Sequence, residues 1–224
     1  MTSSNLSIAH FGKPYQNEPA CISLTSWKAR ISTVGLTLFS LIQECPGFHI
    51  CLTLSEEEFP QKEAELPHDL ITLSRTGLIE ILWVYHNYKV TKKLIPCYVY
   101  KTIPIIITDD DVVIVTNFAK ELYNVWKRNK MCFVSYVKSF ANPPYINAAS
   151  GLIPPIVNEY TAKQFELGKM KDHAEDDFLR YYAKSANIKI IGLHDYYPFY
   201  FHDEAEPITG SINRPFWITR QRFK

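Results

Sequence analysis

The chain has 224 residues, enough for one sizeable α/β core, and its 46% content of apolar residues excludes a disordered chain. Its formal net charge of +1 gives no general electrostatic reason to bind nucleic acid. No apolar run approaches the roughly 20 residues that cross a bilayer, and the N-terminus carries no segment of signal-peptide type. We therefore expect a soluble, cytoplasmic protein without a transmembrane segment. Peripheral association with the inner face of the plasma membrane is the open alternative.

The five cysteines are expected to be free thiols. None forms a C-x-x-C pair and their number is odd, so neither a disulfide framework nor a zinc site is expected. Several lie inside apolar runs, where cysteine behaves as a small hydrophobic residue. We interpret all five as thiols in a reducing compartment: Cys21, Cys45, Cys51, Cys97 and Cys132.

Short apolar runs alternate with amphipathic stretches along the first half of the chain, which is typical of an α/β fold. A helix is expected to begin after Ser32, a suitable N-cap, and to end at Pro46. Residues 56–66 and 92–100 are also expected to be helical, the second in spite of Pro96. The predicted strands of this half cover residues 21–24, 50–54 and 79–84.

The second half continues the same alternation. The strongest strand prediction covers residues 104–108, and a short strand is expected to follow at 112–115. Thr116 or Asn117 is expected to cap the next helix. A later helix should open at Asp172, with Glu175 in the capping-box position. The remaining predictions are strands at 132–136 and 188–191 and a loop over 142–155.

Asp109, Asp110 and Asp111 directly follow the apolar run 105–108. Three adjacent carboxylates repel each other, so a strand that ends in them requires a cation nearby. Mg²⁺ and Mn²⁺ prefer oxygen ligands and often bind one or two carboxylates together with substrate phosphates. Ligands of open α/β sheets also bind beyond the carboxyl ends of the strands. The pattern predicts a divalent-metal site, and the alternative is a solvated acidic turn.

The segment that leaves the first predicted strand offers groups suited to a base and a diphosphate. Thr25 and Ser26 supply hydroxyls, Trp27 an aromatic face, and Lys28 and Arg30 positive charge. The alternative is an ordinary loop between a strand and a helix.

Asp176 and Asp177 form a second acidic group. A carboxylate can take the proton of an acceptor hydroxyl, which makes either residue a candidate general base. Because the helix dipole also favours acidic residues in the first turn, helix capping is the competing interpretation.

Lysines and histidines give weaker indications. The group Lys89, Lys92 and Lys93 is compatible with phosphate binding, although such clusters usually form a solvated face. His194 and His202 follow the last predicted strand, where either one could complete a metal shell or serve only the structure.

Four blocks in order carry a family resemblance: ISLTSWKARISTVGLTLFSLIQ, YKVTKKLIPCYVY, IIITDDDVVI, and GLIPPIV followed by AEDDFLRYYAKSANIKII. Together they resemble the bacterial glycosyltransferases of the GT-A fold, in particular a family 2-like group of short proteins. The likeness spans about residues 22–193. It implies a single-domain α/β fold with a mostly parallel central sheet flanked by helices, over residues 19–224 after a polar N-terminal segment 1–18.

The resemblance implies roles for individual residues. The D-x-D turn would hold Mn²⁺ or Mg²⁺ through Asp109 and Asp111, with Asp110 as an alternative ligand, and Asp176, followed by Asp177, would supply the base. The donor would be bound by Thr25, Ser26, Arg30, Lys92, Asp109 and Asp110. The loop containing Gly151, Pro154 and Pro155 would border the acceptor.

The expected function is metal-dependent transfer of a sugar from a nucleotide-diphosphate donor, most simply a UDP-sugar. The acceptor would be a glycan or a lipid-linked hydroxyl, with inversion at the anomeric carbon, in surface polysaccharide biosynthesis. Three alternatives remain open from the sequence. Asp109-x-Asp111-x-Val113 also fits a haloacid-dehalogenase-like phosphatase with Asp109 as nucleophile. A nucleotidyltransferase would need a glycine-rich first loop, which residues 24–30 lack, and a sugar-binding module would need no nucleotide or metal.

Overall fold

The computed structural model describes residues 6–138, 146–166, 169–170 and 175–201, except for the side chain of Asp176. The described strands are β1 (Ile8–Gly12), β2 (Cys21–Thr25), β3 (His49–Ser55), β4 (Glu80–Val84), β5 (Ile105–Ile107), β6 (Val112–Ile114), β7 (Phe133–Val137), β8 (Gly151–Ile153), β9 (Ile190–His194) and β10 (Phe199–Phe201). The α-helices are α1 (Val34–Glu44), α2 (His68–Arg75), α3 (Ile95–Val99), α4 (Phe118–Arg128), α5 (Pro155–Glu166) and α6 (Glu175–Ser185), with 3₁₀ segments at Lys62–Glu65 and Lys89–Leu94.

Eight of the described strands form one mixed sheet in the order β1-β4-β3-β2-β5-β8-β7-β9. The pairs β4-β3, β3-β2, β2-β5 and β7-β9 are parallel, whereas β1 and β8 run against their neighbours. The α/β class is therefore confirmed, but the sheet is mixed because the short strand β8 is inserted antiparallel between β5 and β7. β6 and β10 pair separately as a two-stranded ribbon.

Helices cover both faces of the sheet. On one face, α1, α2 and α4 bury apolar side chains such as Leu38, Leu70 and Phe118. On the other face, α3, α5 and α6 bury side chains such as Ile95 and Phe165. Strand residues alternate between the two clusters, as period-2 geometry requires, and the central strands are buried throughout. The result is a three-layer α/β arrangement.

Several element boundaries differ from the sequence-based predictions. Thr33, not Ser32, is the N-cap of α1, without a side-chain capping bond. Only Lys62–Glu65 is helical within 56–66, as a 3₁₀ turn. Residues 92–100 divide into the end of a 3₁₀ segment and the short helix α3, because Pro96 lacks an amide hydrogen and fits only the first turn.

The remaining differences concern elements that were not predicted. Helix α2 is short and follows Pro67, and the polar segment 1–18 contributes β1 to the sheet edge.

Asn117 caps α4 as predicted, since its side chain accepts a hydrogen bond from the Lys120 amide at 3.0 Å. Asp172 lies outside the described residues. None of the helices in the described ranges combines the length and apolar character that a membrane span requires.

Candidate active site

The sheet has a topological switch point between β2 and β5. From β2 the chain proceeds through β3 to β4 on one side, and it then returns to β5 on the other side of β2. In open α/β sheets, ligands bind in the crevice at the carboxyl ends of the strands where such a reversal occurs. At this point Ser26 follows β2, and Asp109, Asp110 and Asp111 follow β5. The predicted loop and the acidic turn are thus brought together.

Arg30 and Ser26 hold the buried part of the acidic turn. Nη1 of Arg30 lies 3.0 Å from Oδ1 of Asp110 and 2.8 Å from Oδ2 of Asp111. The Ser26 hydroxyl donates to Oδ2 of Asp110 at 2.6 Å. Burial raises the pKa of Asp110 to about 6, although Arg30 and Ser26 favour its ionised form. Because Asp110 and Asp111 are buried and paired, the turn is not a solvated one.

Asp109 pairs with Lys93 at the outer side of the turn. Their charged atoms, Nζ and Oδ1, are 2.6 Å apart, and the same Nζ lies 2.8 Å from Oε1 of Glu175 at the start of α6. Burial alone would lower the pKa of Lys93, but attraction to the two carboxylates outweighs it and raises the pKa. The Asp109 side chain is 35% exposed, so it is the member of the turn most accessible to a ligand.

Lys92 supports the first loop from behind. Its ammonium group donates to the Ser26 carbonyl at 3.0 Å and pairs with Glu58. Burial lowers the pKa of Lys92, opposed by Glu58. The competing interpretation of the lysine group as a solvated face does not hold for Lys92 and Lys93, which are both buried beneath the site. Lys92, predicted to bind the donor, uses its ammonium group for Ser26 and Glu58.

Among the described residues of this network, negative charges outnumber positive ones. Five carboxylates meet three basic groups there, which leaves an excess of two negative charges when all are ionised. The carboxylates are Glu58, Asp109, Asp110, Asp111 and Glu175, and the basic groups are Arg30, Lys92 and Lys93. An uncompensated buried negative charge is costly, so the site favours additional positive charge.

Two buried donors of the first loop lack acceptors. Nε of Arg30 and Nε1 of Trp27 are inaccessible and make no hydrogen bond to any described residue. A buried donor without a partner costs about 1–3 kcal/mol. Two of them in one five-residue loop at the switch point indicate a place where ligand oxygens would be stabilising.

Helix α1 fixes the turn through its hydroxyl side chains. Thr37 donates to the Asp110 carbonyl at 2.9 Å and accepts from the Val112 amide at 3.3 Å. Ser40 accepts from the Ile114 amide at 2.9 Å. These bonds satisfy backbone groups of the turn and of β6 that do not pair with β10, and they hold the turn against the helix.

The other predicted site residues fall into three groups. Thr25 is buried and donates to the Thr53 carbonyl at 2.7 Å, which joins β2 to β3 and does not face the crevice. Asp177 is exposed on α6, whereas the side chain of Asp176 lies outside the described part. His194 lies 2.9 Å from Glu121 and packs against Tyr136, and His202 is outside the described residues.

The predicted acceptor-side loop is instead a strand and the start of a helix. Gly151 pairs with Ile107 and so lies beside the acidic turn, where the Thr108 hydroxyl donates to the Ala149 carbonyl at 3.0 Å. A Cβ on Gly151 would approach the Asn147 carbonyl oxygen to 2.8 Å, which explains the glycine. Because β8 is antiparallel to β5, Pro154 and Pro155 follow its far end, away from the turn.

The sequence analysis did not identify Glu58, Thr37 or Glu175 as parts of this network. Glu175 was interpreted only as a capping residue, and Glu58 lies in an acidic stretch without a distinguishing pattern. Lys92 and Lys93 directly precede the apolar run 94–97, and this position in the sequence could have indicated that the two lysines are buried.

No family model matches the sequence, and no curated protein matches it. Among solved structures, the chain is similar to the glycosyltransferase GlyE of Streptococcus pneumoniae TIGR4, with 13% sequence identity and a TM-score of 0.47. The match covers 80% of this chain and 46% of that chain, so the chain spans less than half the length of that protein.

Proposed function

We propose that the chain is a glycosyltransferase of GT-A type that binds a nucleotide-sugar donor, most simply a UDP-sugar, in the crevice between β2 and β5. One observation carries the proposal. The loop Ser26–Arg30 and the turn Asp109–Asp111 are joined by Arg30 and Ser26 at the switch point of the sheet. The family 2-like resemblance of the same segments supports the assignment.

The proposal includes a divalent metal ion, Mn²⁺ or Mg²⁺. A diphosphate is anionic and would be repelled by the excess negative charge of the network, so a divalent cation between them is needed for binding. Among the described residues, no group of three or more His, Cys, Asp or Glu side chains is arranged to hold an ion. One or two carboxylates with substrate phosphates suffice for Mg²⁺, and this arrangement fits the site.

Asp109 and Asp111 are the proposed metal ligands. Asp109 is partly exposed, and its Oδ2 makes no hydrogen bond to a described residue, which leaves it able to bind an ion. Asp111 is buried beside Arg30. When bound, the metal would neutralise charge that develops on the departing diphosphate.

The proposed general base is Asp176, with Asp177 as the next candidate. Helix α6 begins at Glu175, which is bonded to Lys93 and through it to Asp109, so the first turn of α6 borders the crevice. A carboxylate there would take the proton of the acceptor hydroxyl as it attacks the anomeric carbon from the face opposite the diphosphate. This arrangement would invert the anomeric centre, and the acceptor would belong to surface polysaccharide biosynthesis.

The proposal is tested by measuring nucleotide-diphosphate release from a panel of nucleotide sugars with Mn²⁺, Mg²⁺ or EDTA. We expect release from one donor that stops in EDTA. Hydrolysis of an aryl phosphate with Mg²⁺, and no release from any donor, would instead favour the phosphatase alternative with Asp109 as nucleophile.

The base assignment has its own test. Asp176→Asn should retain donor affinity and lose transfer, and Asp195→Asn, on an exposed carboxylate after β9, is the matched control. If Asp176→Asn lost donor affinity and kept turnover of bound donor, the base role would be wrong.

A further inference from the structure

A cavity of about 540 Å³ lies between α5 and α6, apart from the crevice between β2 and β5. Its aromatic lining comes from Tyr160 on α5 and from Phe178 and Tyr181 on α6. The rings of Tyr160 and Phe178 are nearly parallel, with centroids 6.0 Å apart, and Tyr181 is 70% exposed. The volume lies in the range of small-molecule sites, which are commonly lined by aromatic side chains with a few polar groups.

The charged groups of the cavity are predominantly positive. The lining contains three cations and one carboxylate: Lys169, Arg180 and Lys184 against Asp177. Asp177, Arg180, Tyr181 and Lys184 follow one another at i, i+3, i+4 and i+7, so they form a single face of α6. Within the described ranges, none of these three cations forms an ion pair. Among the described residues that line the cavity, positive charges therefore exceed negative ones by two, the opposite of the acidic turn.

Both sides of the cavity are attached to the segment that supports the acidic turn. Met170, next to Lys169, accepts a hydrogen bond through its carbonyl from the Thr91 hydroxyl at 3.2 Å. Glu175, two residues before Asp177, binds Lys93 at 2.8 Å. Thr91 and Lys93 belong to the same 3₁₀ segment, so the cavity and the acidic turn share one supporting segment.

We propose that this cavity binds an anionic saccharide, which in the proposed reaction is the acceptor. The apolar face of a sugar ring would pack on the exposed ring of Tyr181, since Tyr160 is stacked against Tyr182 with ring centroids 4.0 Å apart. Arg180, Lys184 and Lys169 would bind its phosphate or carboxylate through charge-assisted hydrogen bonds. Asp177 would accept from a ring hydroxyl. The acceptor role rests on the proposed function, but the binding itself does not.

The test uses nuclear magnetic resonance titration of the full chain with three probes: glucose 1-phosphate, glucuronate and methyl glucoside. We expect amide shifts in α5 and α6 and binding of at least one anionic probe about tenfold tighter than the neutral one, as expected for a charged hydrogen bond. The two anionic probes distinguish phosphate from carboxylate. Arg180→Ala and Lys184→Ala should each weaken anionic binding severalfold, whereas Lys163→Ala, an exposed lysine of α5 that does not line the cavity, should not.

Equal affinity for charged and neutral probes, shifts elsewhere in the sheet, or equal effects of the three lysine and arginine variants would overturn the inference. Donor binding is measured separately, with UDP and Mn²⁺ followed by shifts at the ends of β2 and β5. Binding of UDP without anionic saccharide in the α5–α6 cavity rejects this inference alone. Saccharide binding without UDP binding rejects the acceptor role and the proposed function, but leaves the cavity as an anionic-saccharide site.

Discussion

Arg30 is the residue on which the acidic turn depends most directly. Its Nη1 contacts both Asp110 and Asp111, and the three side chains are almost fully buried. Removing one partner of a buried ion pair commonly costs about 3–5 kcal/mol, because the remaining charge is left without compensation. Without a ligand, the acidic turn is therefore stabilised by a side chain that is distant in sequence, since Arg30 precedes Asp110 by 80 positions.

Arg30→Ala is expected to lower the free energy of unfolding by about 3–5 kcal/mol. The measurement is urea denaturation of the wild type and the variant at pH 7. Adding Asp111→Asn to Arg30→Ala should restore part of the loss, since one uncompensated carboxylate is then neutral. Strict additivity of the two substitutions would show that Arg30 and Asp111 do not interact.

At this scale the sequence indicates that three adjacent aspartates require positive charge nearby, and the chain itself provides Arg30 and Lys93. The divalent metal at the same turn stays a prediction. A sequence reveals charge and spacing along the chain. It does not reveal that Lys93 lies between Asp109 and Glu175, because those contacts exist only after β5 and α6 have folded against the sheet.

Helix α1 is the element that positions the acidic turn. Thr37 and Ser40 lie on its inner side and bond the backbone of the turn and of β6. The apolar face of α1 was predicted from its periodicity, but these two hydroxyl groups belong to the same face and carry no separate signal in the pattern. The structure thus adds a polar anchoring role to a helix that was predicted only as packing.

Thr37→Val should therefore loosen the turn without changing the volume of the side chain. We expect a loss of about 1–3 kcal/mol in unfolding free energy, because the Val112 amide and the Asp110 carbonyl lose a buried partner. Amide hydrogen exchange should become faster at Val112. Thr72→Val is the matched control, since that hydroxyl is exposed on α2 and, among the described residues, bonds only to His68 of the same helix.

The elements of the core were predictable where periodicity was strong, as for β2, β3, β4 and β5. The prediction failed for α2, which is short, and for β8, which was assigned to a loop. Both β8 and its neighbour Pro154 were placed in one acceptor-side loop, although β8 is fully buried in the sheet. β8 offers only Leu152 and Ile153 as apolar residues between Gly151 and Pro154, a composition typical of a loop, so tertiary pairing decides it.

On the scale of the whole molecule, a second buried polar cluster lies at the amino ends of β3 and β4, whereas the acidic turn follows the carboxyl end of β5. Glu80, at the start of β4, lies 2.8 Å from Nε2 of His49 and 2.6 Å from Nδ1 of His10, and it accepts from Tyr100. Burial by itself would raise the pKa of Glu80, but the hydrogen bonds from His49, Tyr100 and His10 outweigh it and lower the pKa. The cluster thereby attaches β1 and α3 to the central strands.

The lowered pKa predicts how stability depends on pH. A carboxyl group whose pKa is lower in the folded state than its ordinary value of 4.5 stabilises the fold above that value, and the contribution disappears as the pH falls through the folded-state pKa. Glu80→Gln should therefore be less stable than wild type at pH 7, by about 1–3 kcal/mol, and the difference should shrink below about pH 4.5. A difference that stays constant from pH 7 to pH 3 would contradict the lowered pKa.

We propose that the crevice between β2 and β5 binds a nucleotide diphosphate together with a divalent cation. It is tested most directly by thermal unfolding with UDP and other nucleoside diphosphates, each with and without Mn²⁺. We expect one nucleotide to raise the midpoint only when Mn²⁺ is present. Asp109→Asn should abolish this effect, and Asp195→Asn should preserve it. If no nucleotide stabilised the wild type with Mn²⁺, or if Asp109→Asn responded as the wild type does, the claim would be contradicted.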